Sequence, residues 1–195
     1  MALPTIVAQT TNSGTSQNAT CAIPSGAQNG DVVLMFVAND GSTLTGDGVD
    51  AGFVFKSPSG GQMVFARSST TPDANIAVFS LQVTTGQTGT ITVSYNSTFS
   101  GWAVICLLIR GASDVDVANV VGANAEISAN TSITVPGVTT TRPDCIAFYV
   151  VATDGTDMNP FTVPGGWTLL AEVEQAGSPT IYTTLAVGYK DMPTA

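Results

Sequence analysis

The chain has 195 residues, enough for one ordinary domain with a self-sufficient core. Hydrophobic residues make up 44% and charged residues 10%, against a usual ~25% charged, so disorder is excluded and Thr, Ser, Asn, Gln and Gly must cover the surface. Fourteen Asp plus Glu against five Lys plus Arg give a net charge of −9, and there is no histidine; this excludes phosphate neutralisation on nucleic acid, attraction to an anionic membrane, and the Ser-His-Asp and Cys-His arrangements.

The first residues, Met1-Ala2-Leu3-Pro4-Thr5, lack the basic start and apolar stretch of a leader. No apolar run approaches the ~18 residues of a membrane span, so the expectation is a protein made soluble in a cytoplasm. The segment from Thr5 to Thr10 is a candidate strand able to cover an open sheet edge. Three continuous apolar runs follow, 32–38 (VVLMFVA), 103–109 (AVICLLI) and 146–152 (IAFYVVA). Their length and β-branching predict strands covered on both faces.

Other segments alternate. Phe79, Leu81 and Val83 oppose Ser80 and Gln82, and Ile91, Val93 and Tyr95 oppose Thr90, Thr92 and Ser94. Leu169, Ala171 and Val173 form a third set, and Ile181, Leu185, Val187 and Tyr189 a fourth. These predict half-buried strands. Turn residues separate them, at Asn39-Asp40-Gly41, Pro58-Ser59-Gly60-Gly61, Asp154-Gly155, Pro164-Gly165-Gly166 and Gly177-Ser178-Pro179. One short helical turn is expected near Asp114-Val115-Asp116. The pattern predicts an all-β protein, a single antiparallel β-sandwich that is jelly-roll-like.

A weak internal duplication runs through it. Ile23-Pro24 leads to Asp31 and the first apolar run, and Val135-Pro136 leads to Asp144 and the third. The reading is one domain over 1–195, with an N-terminal strand or arm over 1–22, a first half over 23–112 and a second half over 113–195. The second half is two strands short, which leaves an open edge, and the two halves are expected to share one core.

Chemistry is sparse. Cys21, Cys106 and Cys145 read as buried reduced thiols, and without histidine a zinc site would need an unusual ligand set. The sequons at Asn18, Asn96 and Asn130 read as chance in a Thr-rich chain. Glu172 and Glu174, at i and i+2, share a strand face roughly 6–7 Å apart, and a pair of carboxylates is what a jelly-roll glycosidase would need. The simpler reading gives the core to Leu169, Ala171 and Val173 and leaves both glutamates to solvent. Asp40, Asp47 and Asp50 crowd one loop, with Asp154 and Asp157 in the corresponding second loop. Such oxygen-rich loops are the kind that calcium favours, although Asp is also a routine turn former and no EF-hand spacing is present. Gly46-Asp47-Gly48 has neither the spacing nor the lysine of a phosphate-cradling loop and reads as a turn. Trp102 and Trp167 each follow a glycine at a strand start; with Phe161 they are the candidate glycan or interface aromatics, the simpler reading being that each tryptophan caps the sandwich core.

The order Gly30-Asp31-Val32-Val33-Leu34, Gly101-Trp102 with Ile109-Arg110-Gly111-Ala112, Val138-Thr139-Thr140-Thr141 and Pro164-Gly165-Gly166-Trp167-Thr168 resembles a β-sandwich module of tailed-phage structural proteins. The resemblance runs from about Ile23 to Tyr189. It implies a jelly-roll-like sandwich on the virion surface, as a head decoration (cement) protein or a tail-associated domain, and it brings no catalytic residues. The expectation is therefore a non-enzymatic protein on the outer surface of the head. Its partners would be the major capsid protein and copies of itself, as a homotrimer, without cofactor. The alternatives are a tail-associated adhesin or carbohydrate-binding module and, more remotely, the glycosidase.

Overall fold

The computed structural model describes residues 3–40, 53–67, 74–95, 101–112, 143–154, 161–178 and 181–193. These residues form eleven strands and no helix: β1 (Thr5–Gly14), β2 (Asn18–Ala22), β3 (Val32–Asp40), β4 (Phe53–Ser57), β5 (Gln62–Arg67), β6 (Ala74–Gln82), β7 (Thr90–Tyr95), β8 (Gly101–Arg110), β9 (Cys145–Asp154), β10 (Thr168–Ser178) and β11 (Ile181–Met192). The all-β, antiparallel expectation stands. The expected helical turn at 114–116 lies outside the described residues.

Three sheets stack rather than two. The central sheet has the order β1-β8-β3-β6-β5, a second sheet β2-β7-β4, and a third β10-β11-β9, with every pairing antiparallel. The central sheet therefore has two buried faces. Odd-numbered residues of β3 (Val33, Met35, Val37) and even-numbered ones of β8 (Val104, Cys106, Leu108) face the second sheet, meeting Ala19, Cys21, Ile91 and Val93. The opposite parity (Leu34, Phe36, Ile105, Leu107) faces the third sheet and meets Leu185, Val187, Phe148 and Val150. Phe36 and Phe148 lie 5.8 Å apart between ring centroids across that second core. A strand with a core on each face cannot alternate, and this is why β3 and β8 are continuously apolar.

The described strands of 1–112 build the first two sheets, and those of 143–193 lie as a third sheet on the back of the central one, so the two halves meet in the second core. Two expectations change. The N-terminal strand covers a different edge from the one expected, because β1 pairs with β8 over the register Thr5↔Arg110 to Gly14↔Trp102, extending the central sheet. In β10 a register shift between Leu169 and Ala171 breaks the period of two, so Leu170 joins Ala171 and Val173 on the core side. A bulge of this kind moves one residue out of phase without ending the strand.

β1 also ties the three sheets together. Beyond its pairing with β8, Asn12 Nδ2 donates to the Thr20 carbonyl at 2.8 Å and the Thr10 hydroxyl donates to the Ala22 carbonyl, both on β2. Gln9 Nε2 donates to the Leu170 carbonyl on β10 at 3.3 Å.

Candidate functional site

Phe161, Trp167 and Glu172, all singled out in the sequence, converge on Tyr149, which carried no sequence signal. Tyr149 lies on the side of the third sheet facing away from the core, opposite Gly188 of β11. The pairing requires glycine, because a Cβ at Gly188 would fall inside the contact shell of the tyrosine ring. Phe161 stacks at 5.8 Å, tilted by 38°, and Trp167 meets the ring edge-on at 5.3 Å and 70°. Both geometries are favoured for aromatic pairs. Trp167 is set by a tight turn, in which its N–H donates to the Pro164 carbonyl at 3.1 Å. Glu172 anchors the segment from the other side, its Oε2 accepting the Phe161 N–H at 3.2 Å.

The Tyr149 side chain is 5% exposed, and its hydroxyl has no hydrogen-bond partner among the described residues. Burial first, and the negative charge of Glu172 second, push the phenol above its ordinary pKa. It is a neutral phenol at working pH, a potential donor and a poor base.

The other candidates fall elsewhere. Glu174 follows Glu172 on the same face and is exposed, so the structure leaves one glutamate tied to a backbone amide and the other in solvent. Trp102 is no exposed platform. It is 3% exposed and packs in the first core, where its Nε1 donates to the Ser16 carbonyl at 3.0 Å. A Cβ at Gly14 would meet its ring at 2.6 Å, so Gly14 is the floor under the indole. Asp40 ends β3, opposite Ala74 and Gly101, while Asp47 and Asp50 lie outside the described residues, as do Asp157, Asp114 and Asp116. Among the described residues no three His, Cys, Asp or Glu side chains gather as metal ligands.

Sequence reasoning missed a clamp between two of its own motifs. Asp31 accepts Arg110 Nε at 3.0 Å on Oδ1 and Arg110 Nη2 at 2.8 Å on Oδ2, and its Oδ2 also accepts the Gln28 N–H at 2.9 Å. Arg110 Nη2 reaches the Gly26 carbonyl as well, at 3.0 Å. The two-pronged bond holds the Asp31 carboxyl below the usual carboxylate range. Asp31 is 4% exposed in its side chain and Arg110 38%, so the aspartate is hidden beneath the guanidinium rather than deep in the core, and water screens the attraction from above. The Asp31 carbonyl also accepts the Val83 N–H at 2.8 Å, and the Val83 carbonyl accepts the Gly30 N–H at 2.9 Å. The signal for the clamp was the one arginine of β8, placed in register with the start of β3, where Ile109 opposes Val32.

Two further side-chain pairs join strands. Asn75 Nδ2 donates to Asn39 Oδ1 at 3.1 Å between the ends of β6 and β3. Cys21 and Cys106 meet inside the first core, with the Thr10 hydroxyl 3.3 Å from Cys21 Sγ. No family model, curated protein or solved structure matches the chain.

Proposed function

We propose that this protein is a non-enzymatic virion structural component, a head decoration (cement) protein of a tailed phage that binds the outer face of the major capsid protein. The observation that carries the reading is β1. Among the described residues it is one of the two edge strands of the central sheet, ten residues long, and its sequence TIVAQTTNSG holds no charge. A free edge is normally blunted by charge, proline or shortness. The other outer strands follow that rule, with Lys56 in β4, Arg67 in β5, Glu172 and Glu174 in β10, Asp154 in β9, and only five residues in β2. A long uncharged edge with an exposed Val7 suits packing against further copies or a capsid surface, because little charge must be desolvated there. A homotrimer at capsid three-fold positions is the proposed form. The motif resemblance supports the virion setting, since Gly30-Asp31 and Arg110-Gly111 are joined here by the clamp.

Mass-spectrometric inventory of purified virions, followed by rebinding to emptied heads, tests the proposal. Saturable rebinding supports it, and absence from purified heads ends it.

Phe161 and Trp167, half-exposed beside Tyr149, favour a second reading, a tail-associated module stacking sugar rings. Titration with host glycans while following indole fluorescence decides that one; an unchanged signal sinks it.

A further inference from the structure

The first core contains a thiol pair with the layout of a closable bond between sheets. Cys21 lies on β2 in the second sheet and Cys106 on β8 in the central sheet, 1% and 0% exposed. Both belong to one core cluster, and each thiol shifts the titration of the other. β2 and β8 approach within 8 Å between Cα atoms, closer than the ~10 Å of face-to-face sheets. β1 sets this approach: its Thr10 stands opposite Cys106 in register, its hydroxyl touches Cys21 Sγ, and it donates to the next carbonyl of β2, that of Ala22. Both cysteines are free thiols in the structure.

We propose that Cys21 and Cys106 are a disulfide site, closed by thiol-disulfide exchange when the protein meets an oxidising medium and open as two thiols in a reducing one. The roles of the two sulfurs differ. The neighbouring Cys106 lowers the Cys21 pKa against the cost of burial, while burial raises Cys106 well above an ordinary thiol. Cys21 is therefore the attacking sulfur and Cys106 the resolving one. Access comes through β2, a five-residue strand at the edge of a three-stranded sheet, the sort of element that opens locally before the rest.

The step balances with a small disulfide such as oxidised glutathione. The Cys21 thiolate attacks one glutathione sulfur, the glutathione S–S bond breaks, and one glutathione thiolate leaves. Cys106 loses its proton and attacks Cys21 Sγ, forming the protein S–S bond and releasing the second glutathione. Two electrons and two protons pass from the protein to the oxidant. The bond would close a loop of about 85 residues, the range in which cross-linking restrains the unfolded chain strongly. The inference is independent of the virion reading, since it concerns two sulfurs inside the core.

The test is incubation of the whole protein with excess oxidised glutathione, then acid quench, intact mass and peptide mapping. The expected result is loss of two hydrogen masses, a Cys21–Cys106 linked peptide, and a melting midpoint raised on the order of 10 °C and restored by dithiothreitol. Cys145→Ser should leave all three unchanged, and Cys106→Ala should stop at a glutathione adduct on Cys21. Recovery of Cys21 and Cys106 as alkylatable thiols after saturating oxidation overturns the proposal, and so does a link through Cys145. If Cys106→Ala does not fold, the wild-type map decides alone.

Discussion

The two sheets that cover the central one bury themselves differently. In the second sheet, β7 follows the half-buried alternation, with Ile91 and Val93 turned inward and Thr90, Thr92 and Ser94 turned away. The third sheet is buried on both sides. Phe148 and Val150 enter the core, yet their neighbours on the opposite face, Ala147, Tyr149 and Val151, are buried as well, together with Ala186 of β11. One sheet is a lid with a polar outside. The other is a lid that is itself covered, and at Tyr149 part of the cover is the Phe161–Trp167 segment. The difference explains why β9 reads as a continuous apolar run although it stands at the edge of a three-stranded sheet.

The largest effects are expected from deleting one side chain on each face of β8. Leu107 faces the third sheet and Leu108 the second, and both are fully buried. Leu107→Ala and Leu108→Ala should each cost about 2–5 kcal/mol in urea unfolding. A cost under about 1 kcal/mol for Leu107→Ala alone would mean that the third sheet does not cover the central one. A smaller effect is expected from Gly188→Val, which drives a side chain into the Tyr149 ring. It should destabilise by about 1–3 kcal/mol and shift the near-ultraviolet aromatic circular dichroism; an unchanged spectrum would place Tyr149 elsewhere.

Trp102→Phe keeps the ring in the first core and removes the bond to the Ser16 carbonyl, at a cost of about 1 kcal/mol measured by the same unfolding curves. The clamp gives a pH dependence. Because Asp31 has a lowered pKa in the fold, its contribution is complete above the unfolded-chain value of about 3.9 and is lost as pH falls through the lower folded value. Asp31→Asn should flatten that part of the stability curve, read by melting from pH 6 down to pH 2. An identical acid limb in the variant would contradict the clamp. The smallest effect is at the exposed Glu174, where Glu174→Gln should stay within about 0.5 kcal/mol.

Much of the architecture was legible because burial leaves period and composition in a strand. The two-faced runs at 32–38 and 103–109 named the central sheet before any pairing was known. The third layer was not legible, since a run covered on both faces does not say what covers it. β10 misled through its bulge, which no alternation pattern carries. At the candidate site, Phe161, Trp167 and Glu172 stood out as aromatics and a carboxylate in polar surroundings. Tyr149 was hidden among IAFYVVA, where a tyrosine looks like one more core residue. Cys21, Cys106 and Cys145 were all read as buried thiols; the first two are buried, while Cys145, at the start of β9, is only half-buried. The meeting of Cys21 and Cys106 depends on stacking two sheets, a relation 85 positions apart that spacing along the chain does not contain. Asp31 and Arg110 were noticed only as parts of separate motifs, and antiparallel pairing of β3 with β8 joined them.

The proposed place of this chain on the virion exterior is open to direct view, by imaging purified particles labelled with an antibody to it. Label is expected over the head at regular positions, accessible without disrupting the particle. Particles that carry no label, in a preparation where the lysate contains the protein, would contradict it.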